Sequence, residues 1–139
     1  MPVGTLTQYG ETLVLNALAT GVSFSIPNLW MSLYTVAPTD TAAGTEVTGG
    51  SYTREPIFFA AASGTPRSTS NTNAVYFPGG NPPGNGVATS GWGVILAFAI
   101  CDSLTLGNQI WWGNLTVFRT INTGDALNFA VSSIQLTMD

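Results

Sequence analysis

From residue 29 to the C-terminus, the chain consists of short segments rich in β-branched and aromatic residues, each bounded by Gly, Pro or Asn. Such segments are typical of β-strands, because branched and aromatic side chains fit a pleated surface and the bounding residues favour turns. The segments are LWMSLYTV, PIFFAA, NAVYF, WGVILAFAIC, QIWWGNLTVF, DALNFAV and SIQLTM. Seven strands in 139 residues predict a mainly β fold, namely a single antiparallel β-sandwich of the jelly-roll or immunoglobulin-like kind over residues 1–139.

Two of these segments indicate how the strands are buried. In the last one, Ile134, Leu136 and Met138 alternate with polar residues, which predicts a half-buried strand with one apolar face. GVILAFAIC, by contrast, is apolar on both faces. We therefore expect it to be a central strand, covered on one side by the core of its own domain and on the other by a second layer or another subunit.

The N-terminal region carries the pattern of an amphipathic helix over about residues 7–20. Thr5, followed three residues later by Gln8, resembles a capping box, and Gly21 ends the pattern. Gly10 inside the helix costs roughly 1 kcal/mol relative to Ala, so the helix is expected to depend on docking. Its apolar positions are candidate interface residues: Leu6, Tyr9, Leu13 and Leu18.

The residue types needed for most catalysis are missing from the chain. It has no His and no Lys, and its three basic residues are Arg54, Arg67 and Arg119. The usual general base, the Schiff-base amine and the commonest zinc ligand are therefore absent, and Cys101 has no imidazole to activate it. This composition predicts a protein that is not an enzyme and that uses no cofactor.

Charge is scarce along the whole chain, at 7% of residues against 45% hydrophobic residues. Because so few charges cannot cover a soluble surface, we expect much of it to be covered by other protein, in a homo-oligomer. The net charge of −4 argues against nucleic-acid binding. No apolar run reaches the roughly 18–20 residues that span a bilayer, and the N-terminus lacks a basic region followed by an apolar one, so neither a membrane span nor a secretory signal is expected.

Long loops are predicted at 37–51, 63–73 and 78–91. The first carries Asp40 and Glu46 among glycines, and two such carboxylates could in principle bind Ca²⁺ or act as the acids of a glycosidase. Their spacing matches no calcium-loop pattern, and nothing in the sequence fixes them in a cleft. A solvated loop is favoured, with no metal site and no catalytic site.

Trp111 and Trp112 are adjacent in a predicted strand, so their side chains should point to opposite faces. One would lie in the core and the other would face outward. An outward Trp on a surface with few charges favours a protein contact, which makes both residues interface candidates. Stacking on a carbohydrate is one alternative, and simple partial burial of the ring is the other.

Two long stretches of the sequence resemble a recurrent pattern in virion proteins of tailed phages. One is MSLYTVAPTDTAAGTEVTGGSYTREPIFF, in which an acidic, Gly-containing loop leads to a strand just after Arg54. The other is the C-terminal WGVILAFAICDSLTLGNQIWWGNLTVFRTINTGDALNFAVSSIQLTMD, which departs from the pattern where Leu106 and Gly107 replace a double Gly. The chain thus resembles the tailed-phage virion structural proteins, which include tail-fibre-like and capsid-decoration β proteins.

The resemblance implies that the loop around Asp40 and Glu46 is an architectural joint. Glu46, Gly50, Tyr52 and Arg54 stand at its matched positions. An Arg that enters a strand beside an acidic loop can clamp that loop through charge-assisted hydrogen bonds to Glu46, Asp40 or carbonyl groups.

The function implied by the resemblance is that of a non-enzymatic virion component, assembled in the host cytoplasm. A capsid decoration (cement) protein is favoured, as a homo-oligomer and preferably a trimer, bound to other virion proteins such as the major capsid protein. A tail fibre or tail adaptor component is the alternative of the same class. A host-glycan-binding module that uses Trp111 or Trp112 is the alternative of another class.

Overall fold

The computed structural model describes residues 2–80 and 84–138, which form ten strands and one helix. The elements are β1 Val3–Leu6, α1 Gln8–Thr20, β2 Leu29–Val36, β3 Thr45–Glu46, β4 Glu55–Ile57, β5 Ser68–Ser70, β6 Val75–Phe77, β7 Gly93–Cys101, β8 Gln109–Ile121, β9 Leu127–Phe129 and β10 Gln135–Thr137. The mainly β class with one N-terminal helix is therefore confirmed.

Eight strands form one large sheet in the order β3-β2-β7-β8-β1-β10-β5, with β4 also paired to β2, and β6 and β9 form a second sheet. The two ends of the chain meet in the large sheet, because the first half of β1 pairs with β10 and its second half pairs with β8. The β1–β10 pair is parallel, so the large sheet is mixed and not wholly antiparallel as predicted. All other strand pairs are antiparallel among the described residues.

The main core lies between the large sheet and the elements that cover its inner face. Buried side chains of β2 and β7 pack there with those of β6, β9 and β10: Met31, Leu33, Val75, Phe77, Ile95, Phe98, Ile100, Leu127, Phe129 and Leu136. A shift of the β7–β8 register between Ile95 and Ala97 breaks the alternation of β7. The bulge lets Ile95 and Phe98 both face this core although they are three residues apart.

The opposite face of β7 is also buried, as predicted, and its cover comes from the same chain. Ala97, Ala99 and Cys101 form a second cluster with Tyr34, and each is at most 1% exposed. Trp112 packs against this cluster. Covering this strand therefore requires no second subunit.

Helix α1 begins and ends close to the predicted limits, but its N-cap is Thr7 and not Thr5. The hydroxyl of Thr7 accepts a hydrogen bond from the backbone N–H of Gly10 at 3.1 Å and donates to the carbonyl of Gln109 at 2.7 Å. Gly10 is buried against β8. This close contact requires a residue without a side chain, because a Cβ at this position would lie 2.7 Å from the carbonyl oxygen of Ile110. The helix therefore docks on β8 through its first turn.

The predicted apolar stripe does not exist as one helix face. Leu6 belongs to β1, where strand pairing with Trp111 buries it, so it is not a helix residue. Leu13 is half-buried, whereas Tyr9 is 39% and Leu18 is 81% exposed, so these positions do not share one buried face. At the other end of the chain, Ile134 and Leu136 are buried as predicted but Met138, which follows the end of β10, is 53% exposed.

Candidate functional site

The acidic loop and the strand that follows it are joined by one ion pair. Arg54 immediately precedes β4, and Glu46 is the last residue of β3. The Arg54 Nε donates to Glu46 Oε1 and Nη2 donates to Oε2, both at 2.9 Å, so the pair is bidentate. The two side chains are 11% and 25% exposed, which shields the pair from solvent.

The same guanidinium also holds the loop between β7 and β8. Its Nη1 donates to the carbonyl oxygens of Ser103 at 2.8 Å and of Leu106 at 2.7 Å. Leu106 takes a left-handed conformation, with φ 55°, followed by Gly107 with φ 71°, at the place where the phage pattern has a double Gly. Arg54 thus fastens three segments of the chain at one point, and we call this arrangement the Arg54 joint.

Tyr52 completes the Arg54 joint on the core side. Its hydroxyl donates to Glu46 Oε1 at 2.9 Å and accepts from the backbone N–H of Leu33 at 3.0 Å. Burial, reinforced by the neighbouring Glu46 carboxylate, raises the pKa of Tyr52 far above its usual value, so the hydroxyl stays protonated. The hydrogen bonds to Glu46 likewise raise the pKa of the Arg54 guanidinium. Glu46 is therefore occupied as an acceptor and is not placed as a free acid or base.

Asp40 lies elsewhere on the loop and does not contact Arg54. Its Oδ1 accepts from the indole N–H of Trp112 at 3.0 Å, and its backbone carbonyl accepts from the N–H of Gln8 at the start of α1. Gln109 holds the same loop by donating to the carbonyl of Ala43 at 2.8 Å. The predicted clamp residues are thus divided: Glu46 pairs with Arg54, whereas Asp40 ties the loop to β8 and to the helix.

A cleft of about 340 Å³ lies between the loop, the start of α1 and the β7–β8 loop. Tyr9, Asp40, Glu46, Arg54, Asn108 and Gln109 are among its lining residues. Asp40 and Glu46 are the only acids in that lining, and one of them is ion-paired. The described residues contain no group of three or more His, Cys, Asp or Glu side chains that could hold a metal ion.

The two adjacent tryptophans point to opposite faces, but neither faces freely outward. Trp111 packs against the main core, and Trp112 packs against the second cluster beneath the Asp40 loop. Both are half-buried. The outward platform expected from the sequence is absent at these two positions, because the Asp40 loop covers the face that Trp112 occupies.

Trp92 is a joint residue that the sequence did not reveal. It is 6% exposed, its indole N–H donates to the carbonyl of Gly50 at 3.0 Å, and its ring meets Tyr52 edge to face at 5.6 Å. The available signal was its position between two glycines, Gly91 and Gly93, which is not specific to a contact with a loop 40 residues away.

Comparison with protein families identifies the chain. The family described as "Podophage GP4 fiber I protein gp80" matches residues 5–137, which include nearly all of the described sandwich and the whole Arg54 joint. The chain belongs to this family. The predicted resemblance to tailed-phage virion structural proteins is thereby confirmed, and the family is one of phage fibre proteins.

A search of curated proteins finds no match to the chain. Among the residues that the structure describes, no helix has the length and apolar character needed to cross a membrane.

Proposed function

We propose that this member of the fibre family is a non-catalytic, homo-oligomeric subunit of a fibre on the virion of a tailed phage. The family match over residues 5–137 is the observation that carries the proposal. It favours the fibre alternative over the capsid decoration role expected from the sequence, because the family description names a fibre protein.

The chemistry of the most reactive side chains supports a non-catalytic role. Glu46 and Arg54 neutralise each other, and Asp40 accepts from Trp112. Cys101 is buried beside Ser32, and burial raises the pKa of its thiol, which disfavours the reactive thiolate. These groups stabilise loops and core and do not converge on a position where a substrate could react.

Self-association is supported by apolar side chains that the single chain leaves exposed. Leu15, Leu18, Val22, Val117 and Phe118 are each at least 60% exposed, and only 7% of all residues are charged. Exposed apolar side chains that are contiguous on a surface mark protein contacts. Copies that surround a fibre axis form a cyclic oligomer, and a trimer remains the state that we expect.

The host-glycan alternative receives less support, because it required a Trp platform and both Trp111 and Trp112 are half-buried.

The fibre and capsid roles differ in where the protein is attached, so fractionation separates them. Purified particles are sheared to detach their fibres, heads and fibres are separated by sedimentation, and the protein is quantified in each fraction. We expect the protein in the fibre fraction. Its retention on sheared heads would contradict the proposal and support a capsid decoration role with the major capsid protein as partner.

A further inference from the structure

Glu55 is a half-buried carboxylate with one oxygen that lacks a donor. Its Oε1 accepts from the backbone N–H of Gly79 at 2.9 Å and from the hydroxyl of Thr53 at 3.0 Å, whereas its Oε2 accepts from no residue that the structure describes. The other half-buried acids, Glu46 and Asp102, receive donors at both carboxylate oxygens. Glu55 therefore retains the capacity to bind one further donor.

The chain supplies no cation to this carboxylate. It has no Lys, and the guanidinium of Arg54 is directed to Glu46 and to two carbonyl oxygens. Arg67 and Arg119 make no ion pair with any described residue. Burial raises the pKa of Glu55, and its two hydrogen bonds offset this effect only in part. A cation at Oε2 would stabilise the ionised carboxylate, because partly buried charges are costly unless they are paired.

Glu55 lines a pocket of about 240 Å³, which we call the Glu55 pocket. The amide of Asn73, also in the lining, donates to the carbonyls of Pro56 and Ala74 and accepts from the backbone N–H of Phe58. Glu55 is the only charged residue of the lining, whose apolar and aromatic members are Pro56, Ala74, Val75 and Tyr76. The pocket thus combines one negative charge with apolar walls.

Glycine at position 79 keeps the space beside the carboxylate open. A Cβ on residue 79 would lie 2.8 Å from Glu55 Oε2 and 3.0 Å from Oε1. Any other residue would therefore cover the carboxylate on this side. The backbone N–H of the same glycine fixes the position of Glu55 through the hydrogen bond to Oε1.

The Glu55 pocket suits an ammonium group better than a guanidinium. A guanidinium binds a carboxylate best through two parallel hydrogen bonds, which require both oxygens, but Oε1 of Glu55 already accepts two. An ammonium is a compact point charge that can bind through Oε2 alone. The methylene stem of a Lys can pack on apolar side chains while its amine reaches an acid, and the ring of Tyr76 can attract the same cation.

We propose that the Glu55 pocket receives the ammonium group of a Lys side chain presented by another protein of the virion. A second copy of this chain cannot supply that Lys, because the chain has none. The excess of acids over bases, seven against three, also favours a basic partner surface. The inference rests on the proposed function in so far as the chain is a virion subunit, but not on the position of the chain in the virion.

Two substitutions that each remove one negative charge test the contact. Glu55→Gln keeps the shape of the side chain, and Glu11→Gln is the control, because Glu11 is exposed on α1 and does not line the Glu55 pocket. Particles that carry each variant are washed with NaCl at rising concentration, and the retained protein is quantified. At a concentration that retains most of the wild type, we expect Glu11→Gln to be retained equally and Glu55→Gln at least about tenfold less. Retention of Glu55→Gln at the wild-type level would overturn the inference.

Carbodiimide coupling on wild-type particles tests the same contact without a substitution. The reagent activates a carboxylate as an O-acylurea, and an amine in contact displaces the urea to form an amide. Because the chain has no Lys, an amide between Glu55 and a Lys side chain, found by mass spectrometry, identifies a different protein. Absence of this amide from particles in which other carboxylates are coupled would refute the Lys contact.

The two proposals can fail separately. If the protein is found in the sheared fibre fraction but Glu55 forms no amide, the Lys contact fails and the proposed function stands. If the protein stays on sheared heads and Glu55 is coupled to a Lys there, the proposed function fails and the Lys contact stands.

Discussion

The guanidinium of Arg54 holds β3, the start of β4 and the β7–β8 loop at once, so a change in this one side chain should loosen all three. Lys at this position keeps the charge but cannot reproduce the planar fork that reaches Glu46 and two carbonyls. We expect Arg54→Lys to lower the free energy of unfolding by about 2–3 kcal/mol. Arg67→Lys is the matched control, since Arg67 is exposed and makes no ion pair with a described residue, and should change stability by less than about 0.5 kcal/mol. Urea unfolding that gives equal stability for both variants would contradict the role of the joint.

Gly49 and Gly50, in the loop between β3 and β4, allow the cost of backbone strain to be measured separately from the cost of a steric clash. Gly49 and Gly50 have φ of 73° and 59°, but only Gly50 is crowded, with an added Cβ lying 2.6 Å from the carbonyl oxygen of Ser90. Gly49→Ala should cost about 1–2 kcal/mol from the left-handed conformation alone. Gly50→Ala should cost a further 1–3 kcal/mol or so, because backbone must move to admit the methyl group. Thermal unfolding of the pair checks this, and equal losses would show that Gly50 does not pack against residue 90.

Glu55 gives the fold a pH dependence in the acid range. Its carboxylate accepts from the backbone N–H of Gly79 at 2.9 Å, but burial dominates and raises its pKa above the usual value of 4.5. A raised folded-state pKa means that the folded protein binds the proton more tightly than the unfolded chain, so the contribution of Glu55 is favourable below pH 4.5 and is lost as the pH rises through the folded-state pKa.

Compared with Glu55→Gln, wild type should therefore lose stability as the pH rises above 4.5 and Glu55 ionises in the folded protein. Once Glu55 is ionised in both the folded and the unfolded states, the difference should stay constant up to pH 8. Urea unfolding of both proteins across this range provides the measurement. A difference that does not change with pH would refute the raised pKa of Glu55.

At the scale of elements, the helix and the burial of strands could be predicted from local sequence patterns, whereas the pairing of strands distant in sequence could not. The helix was predicted within one or two residues because Gly21 is a local stop signal, and the continuous apolar pattern of β7 correctly indicated burial on both faces. Leu6 was assigned to the helix because its partner in the sheet, Trp111, is more than 100 residues away. The parallel pairing of β1 with β10 has the same origin, since it joins the two ends of the chain.

Gly10 shows how packing overrides helix propensity. In an isolated helix, Gly→Ala would be favourable by about 1 kcal/mol. In this fold the methyl group would lie 2.7 Å from the Ile110 carbonyl, so Gly10→Ala should undock the first turn and lower stability by about 1 kcal/mol or more.

Asn16→Ala is the control for Gly10→Ala, because Asn16 is exposed on the same helix and the substitution should raise stability by up to about 0.7 kcal/mol. Thermal unfolding that shows Gly10→Ala to be the more stable variant would mean that the helix does not need its contact with β8.

At the scale of the whole molecule, the candidate site was only partly accessible from the sequence. The pairing of Arg54 with Glu46 followed from opposite charges eight residues apart in a recognised loop pattern. The two carbonyls that complete the joint could not be foreseen, because any residue supplies a carbonyl and the β7–β8 loop is about 50 residues further along.

The physical reason to expect self-association differs between the sequence and the fold. The sequence predicted that β7 needs cover from a second layer or another subunit, and Tyr34 and Trp112 of the same chain provide that cover. The case for an oligomer now rests on exposed apolar side chains, namely Leu15, Leu18, Val22, Val117 and Phe118. The copies in a fibre are few, whereas those of a shell protein are many, so copy number connects the molecular surface to its place in the virion.

The most direct test of the proposed function is to locate and count the protein on intact particles by electron microscopy with a tagged copy of the chain. We expect the label on fibres, at a small number of positions on each particle and in the same symmetry as the soluble oligomer. A label distributed over the whole capsid shell, in hundreds of copies per particle, would contradict the fibre assignment.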